Sequence, residues 1–220
     1  MQIPIDRPLN IHQSLQKPDA SVVNGDYLYF HYLQDGAQDN GWGCAYRSLQ
    51  TLISHNLLNQ PNSKGCASVP TLRQIQEALV SLGDKEPSHI GSSEWLGAIE
   101  VCLCMNHFLG VDCKIVHVAN RDGLCKPELI EQLRNHFQTK GTPVMIGGDV
   151  KAFTILGVAA PPDYDEDSDE AQFLILDPHY TGPDSNTAQI LKKGWCGWKS
   201  PKSHFPQGLS FYNLCLPTQF

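Results

Sequence analysis

Apolar residues recur first at helical and then at strand spacing along this chain. Tyr46, Leu49, Leu52, Ile53 and Leu57 fall three and four apart, which predicts a helix that turns one face to a core and ends near Asn59, ahead of Pro61. Pro70-Thr71 opens a second helix, with Leu72, Ile75, Leu79 and Leu82 on one face and Gly83 as its stop. Gly91-Ser92-Ser93-Glu94 opens a third that stops at Gly110, in which Trp95, Ile99, Cys102 and Met105 (or His107) recur near helical spacing and face the core. A fourth spans residues 127–139, with Leu129, Leu133 and Phe137 on its buried face and Gly141 after it.

The remaining apolar runs are short and read as strands. Residues 26–32 are rich in aromatics with a rough alternation, and residues 112–118 alternate more cleanly. After Pro143 strands dominate, at residues 143–148, 153–158 and 173–177, and two closing strands follow at 194–198 and 209–216. Residues 161–170 hold six acidic residues and two prolines, a composition that cannot bury enough to fold, so they read as a mobile hairpin loop. Residues 1–20 carry Pro4, Pro8 and Pro18 with little periodicity and read as an N-terminal arm that is ordered only where it packs on the domain. Helices followed by antiparallel strands predict an α+β fold, with the helices on one side of an antiparallel sheet and residues 21–220 as a single domain.

Composition narrows the classes. A chain of 220 residues with 41% hydrophobic content can bury a sizeable core. A net charge of −7 speaks against a nucleic-acid surface. No apolar run reaches the roughly 18 residues of a membrane span, and residues 1–10 lack a charged-then-apolar leader. The eight cysteines are therefore read as reduced thiols in a cytoplasmic chain. Cys102 and Cys104 are too close for the usual zinc pair and no matching Cys/His pair follows them, so neither a metal nor another cofactor is expected.

Two stretches carry candidate chemistry. In Asp39-Asn40-Gly41-Trp42-Gly43-Cys44 the glycines break the chain just before the first helix. A thiol at that helix start meets unpaired backbone N–H groups and the positive end of the helix dipole, both of which favour thiolate. A cysteine there is more often a small buried residue than a nucleophile. The second stretch, Leu176-Asp177-Pro178-His179-Tyr180, changes that balance. In extended chain Asp177 and His179 share a face, so the carboxylate can hold the imidazole as the orienter of a triad does. The alternative is a strand-end Asp-Pro turn with an exposed histidine.

Magnitudes require both halves. Lowering a thiol pKa by about three units takes about 4 kcal/mol, and a helix terminus supplies up to about 2 kcal/mol. An imidazolium must provide the rest, which makes His179 a required partner of Cys44. The backbone N–H of Cys44 is a natural oxyanion donor; for a second donor, spacing offers Gln38, and Tyr32 offers a phenol.

With these motifs in hand, the chain resembles the ubiquitin-fold modifier-specific cysteine proteases, the UfSP family. The matching pieces run in order: residues 40–48, 143–148, 174–180, 194–198 and 211–215. The resemblance implies a papain-like fold with Cys44 as nucleophile, His179 as base and Asp177 as orienter. It also implies Tyr32, twelve residues before the cysteine, as an oxyanion donor in preference to Gln38. The implied substrates are the modifier's precursor, trimmed to expose a C-terminal glycine, and its conjugates on lysines, with the enzyme acting as a monomer. Trp42, Gly43, Gly147 and Gly148 are the expected walls of a channel for that small residue. With about 26 residues before the first matched strand, the chain looks like the family's short form, and an excised catalytic domain of a long form would look the same. An autophagin-type protease, which shares the Asp-Pro-His box, is the neighbouring alternative, and an inactive modifier-binding module is the non-enzymatic one.

Overall fold

The computed structural model describes residues 7–60, 66–148, 150–165, 170–208 and 211–218. Its helices are α1 (Cys44–Asn59), α2 (Leu72–Ser81), α3 (Ala98–Leu109), α4 (Pro127–Thr139), α5 (Thr187–Lys192) and α6 (Pro201–His204). Its strands are β1 (Ala20–Val22), β2 (Cys113–Val118), β3 (Val144–Gly148), β4 (Lys151–Ala159), β5 (Gln172–Leu176), β6 (Cys196–Lys199) and β7 (Tyr212–Pro217). The strands pair antiparallel in the order β2-β7-β3-β4-β5-β6. Strands β3 and β1 share one edge of β4: β3 pairs with Lys151 to Ile155, and β1 with Gly157 to Ala159.

Alternation along β3 and β4 sorts the core into layers, because successive side chains leave opposite faces of a strand. Met145 and Ala152 join Cys215 under α1, α2 and α3. Val144, Ile146, Phe153 and Ile155 turn the other way and meet Leu129, Leu133 and Phe137 of α4. Three helices thus cover one face, while α4 covers the opposite one, so the helices do not all lie on one side of the sheet as expected; the apolar face of α4 packs on side chains that alternate to the other side of β3 and β4.

Helix α1 starts at Cys44 and ends at Asn59, and α4 spans the predicted residues. α2 is opened by a capping box in which the Thr71 hydroxyl accepts from the Gln74 N–H at 3.2 Å while the Gln74 side chain accepts from the Thr71 N–H at 2.9 Å. α3 begins later than predicted, at Ala98, and for a physical reason. The carbonyl of Ser92 accepts from Gln76 Nε2 at 2.9 Å and that of Glu94 from the Tyr46 hydroxyl at 3.1 Å, so both are spoken for before a helix could use them. Trp95 consequently lies outside the helix, half-exposed, and Ile99 faces solvent; the buried face of α3 is Ala98, Val101, Cys104, Met105 and Leu109.

The predicted strand at residues 26–32 does not form a ladder. Residues 27–32 are buried, but their N–H groups are satisfied elsewhere: Tyr27 by the Asn10 side chain at 2.9 Å, Tyr29 by the Pro8 carbonyl at 2.9 Å, and Leu28 and Phe30 by Ser54 and Thr51 of α1 at 3.0 and 3.2 Å. The arm is therefore built into the domain from Arg7 onward. Ile11 is buried, Leu9 bridges to Leu28, and the Leu15 carbonyl accepts from the Trp198 indole at 2.6 Å. The acidic stretch joins β4 to β5 as a hairpin connection, and its residues 166–169 lie outside the described residues.

Candidate active site

Cys44 is the first residue of α1, buried beneath the cleft between the α1–α3 layer and the β3–β4 turn. Its amide is among the first four of the helix, which have no acceptor within it. The preceding loop is held from below. Asp39 accepts from the Gly43 N–H at 2.8 Å through its carbonyl and from Arg47 Nε at 2.6 Å through its carboxylate, and both side chains of that pair are fully buried. Arg47 also donates to Gln50 and to the Gln34 carbonyl, at 3.1 and 3.0 Å. A Cβ at Gly43 would sit 2.5 Å from the Asp39 carboxylate, so only glycine lets the loop close over the ion pair. The Trp42 indole donates to the Gln38 carbonyl at 2.9 Å and packs edge-on against Tyr46.

The strand β5 delivers the other half. Just beyond it, His179 Nδ1 and the Asp177 carboxylate lie 2.6 Å apart, and the same carboxylate oxygen accepts from the His179 N–H at 2.9 Å. The Asp177 main chain is pinned on both sides, its N–H to the Trp195 carbonyl at 2.7 Å and its carbonyl to the Tyr29 hydroxyl. The imidazole packs against Phe153 and stands edge-to-face with Tyr32, ring centroids 5.2 Å apart. Tyr32 is tied to the same turn, its N–H donating to the Pro178 carbonyl at 2.9 Å.

These groups perturb one another. Burial pushes the Cys44 thiol up, but the hydrogen bond and charge of His179, the Ala152 N–H and the Tyr32 hydroxyl outweigh it, and its pKa falls below the ordinary thiol value. Burial opposes protonation of His179 too, yet hydrogen bonds to Asp177 and Cys44 hold its pKa up at about 9. Both shifts favour the thiolate–imidazolium form of the pair. Burial and the adjacent thiolate raise the Tyr32 phenol well above its usual range, so it stays protonated and able to donate. Of the two candidate oxyanion donors it is Tyr32 whose side chain reaches the sulfur; Gln38 is exposed, and its carbonyl holds Trp42. Such a cluster can attack an acyl carbon, stabilise an oxyanion and pass a proton to a leaving group.

A cleft of about 380 Å³ opens in front of Cys44, with Trp42, Trp95, Gly147, Gly148 and Val150 among its walls. Of the channel residues expected from the motifs, Trp42, Gly147 and Gly148 line the cleft, whereas Gly43 is buried and does not. The glycines of β3 serve packing as well: a Cβ on Gly148 would meet the Tyr212 ring at 2.5 Å and the Phe211 carbonyl at 2.7 Å. The motifs did not reveal Trp95, the Ala152 N–H or the Asp39–Arg47 pair. An arginine as the one Lys, Arg, Asp or Glu in a helix, eight residues after an aspartate, was the available signal for the last.

The profile of peptidase family C78 matches residues 18–215. The chain belongs to peptidase family C78. Among C78-like relatives, a probable Ufm1-specific protease from Oryza sativa subsp. japonica is 53% identical over 203 residues, 90% of this chain and 30% of the rice protein. Ufm1-specific protease 2 of Danio rerio is 49% identical, covering 94% of this chain and 50% of its own length. The human Ufm1-specific protease 2 is 48% identical, with 94% and 43% covered. The crystal structure of UfSP from C. elegans superposes with a TM-score of 0.82 at 39% identity, over 98% of this chain and 38% of that one. The C78 chain thus shares the fold of that papain-like protease and spans between 30 and 50% of the length of these curated relatives.

Proposed function

We propose that this chain is a thiol peptidase and isopeptidase that matures the Ufm1 precursor to its C-terminal glycine and releases Ufm1 from lysines of its conjugates. The observation that carries the reading is the hydrogen-bonded line from Asp177 through His179 to Cys44 at the head of the cleft. Relatives named Ufm1-specific proteases at about half identity support the substrate class.

In this mechanism the Cys44 thiolate attacks the carbonyl carbon of the modifier's glycine. The carbonyl oxygen takes the electron pair and is stabilised by the Cys44 N–H and the Tyr32 hydroxyl. His179, protonated, delivers its proton to the departing amine, which is a peptide nitrogen in the precursor and a lysine Nε in a conjugate. Water then attacks the thioester, His179 accepts its proton, and the thiolate leaves. Asp177 keeps the imidazole in the tautomer and orientation that serve both steps. Trp42, Gly147 and Gly148 line the route of the small C-terminal residue. Residues 21–220 act as one catalytic unit, as a monomer in the cytoplasm, with the arm packed on it. Among the described residues no helix is long and apolar enough to cross a membrane.

The test is a cleavage assay of the chain and its Cys44→Ser variant on precursors of Ufm1, ubiquitin and an autophagy modifier. Cleavage of the Ufm1 precursor alone, lost in the variant, is expected. Cleavage of the autophagy modifier instead would move the enzyme to the autophagin type. Tight binding of Ufm1 without turnover would make the chain a binding module.

A further inference from the structure

Away from the cleft, three other thiols meet. Cys102 lies on α3, Cys113 opens β2 and Cys215 lies on β7, and their sulfurs all fall within 4.8 Å of one another. Ile115 of β2 stands opposite Cys215 of β7, so Cys113 and Cys215 are diagonal neighbours on one face of the sheet. Helix α3 lays Cys102 over that face, while Cys104, two residues on, is buried in the α1–α3 core and stays outside the group. Cys215 is buried, whereas Cys102 and Cys113 are half-buried, which leaves an open side for entry. Among the described residues, the group holds three cysteine sulfurs and no imidazole or carboxylate.

We propose that Cys102, Cys113 and Cys215 form a trigonal thiolate site for one soft cation of the copper(I) class. Thiolate sulfur selects soft ions, and a structural zinc would ask for a fourth ligand. Metal–sulfur bonds of about 2.3 Å in a planar triangle set sulfur–sulfur edges of about 4 Å, inside the spread observed. The Cys102–Cys215 pair, now 2.9 Å apart, must open by about 1 Å to reach that edge. The ion displaces thiol protons to solvent and keeps its oxidation state throughout. Its structural effect is to tie α3 to β2 and β7. The first residue of α3, Ala98, and Asn213 of β7 both line the Cys44 cleft, so the bound ion braces two of the cleft walls from behind.

The test uses the whole chain carrying Cys44→Ala, reduced and anaerobic, so that the cleft thiol does not compete. Copper(I) is added, then challenged with a chromophoric copper(I) chelator, and the retained metal is counted. One copper per chain is expected, with a raised thermal midpoint, three sulfur scatterers by X-ray absorption, and loss of retention in Cys113→Ser and in Cys102→Ser but not in Cys66→Ser. Circular dichroism reports whether each variant is folded. No copper retained by the folded parent, or retention undiminished in both serine variants, would overturn the site. So would a Cys102–Cys215 disulfide formed by mild peroxide in a chain that holds no copper when reduced, since the cluster would then serve redox chemistry.

Discussion

At the scale of single residues, protonation governs the cleft. With the thiol lowered and His179 held up at about 9, kcat/KM is expected to follow a bell whose alkaline limb lies near that value. Asp177→Asn should move the alkaline limb to lower pH and reduce kcat by roughly 10²–10⁴-fold; a pH–rate profile with the limb unmoved would remove Asp177 from the triad. The same coupling enters stability. A histidine raised above its unfolded value of 6.5 stabilises the fold fully below that value, and the contribution is lost as pH rises through about 9. Tyr32→Phe removes one oxyanion donor and should lower kcat about 10²–10³-fold with KM little changed. A Gln38→Ala variant, by contrast, should leave kcat near the parent's, since that side chain is exposed and the interaction made with Trp42 uses the main chain.

At the scale of elements, the loop before α1 and the pair beneath it act together. Asp39→Ala would leave Arg47 charged, buried and short of its closest partner, and should cost about 3–5 kcal/mol in urea unfolding. Thr71→Ala breaks only the capping box of α2, far from the chemistry, and should cost about 1 kcal/mol with turnover unchanged. The contrast between the two helix starts was partly legible. Tyr46, Leu49, Leu52 and Ile53 placed α1, and Pro70-Thr71 with Leu72, Ile75 and Leu79 placed α2, because helical periodicity is local. The start of α3 was not legible, because Gln76 and Tyr46 claim the carbonyls of Ser92 and Glu94 from elsewhere in the chain.

At the scale of the whole molecule, the arm and the aromatic segment form one structure. Tyr32 is positioned by a segment whose neighbouring amides bond to Asn10, Pro8 and α1 rather than to a strand partner. Ile11→Ala should therefore cost about 2–5 kcal/mol by chemical denaturation and also reduce turnover. A variant that loses stability but keeps the parent kcat would show that Tyr32 is positioned without the arm. By itself the sequence determined what short-range order can determine: four main helices, most strands, and the two motifs that hold Cys44, Asp177 and His179. Spacing within a dozen residues carries that information, since helix and strand periods are local. Only the tertiary structure decided that α4 covers the face opposite α1–α3, that residues 27–32 do without a ladder, and that Trp95 leaves its helix to line the cleft. It also decided that Cys102 meets Cys113 and Cys215 rather than Cys104. Each of these rests on partners distant in sequence, and their placement depends on which buried amide, carbonyl or sulfur finds a neighbour once the sheet and helices have packed.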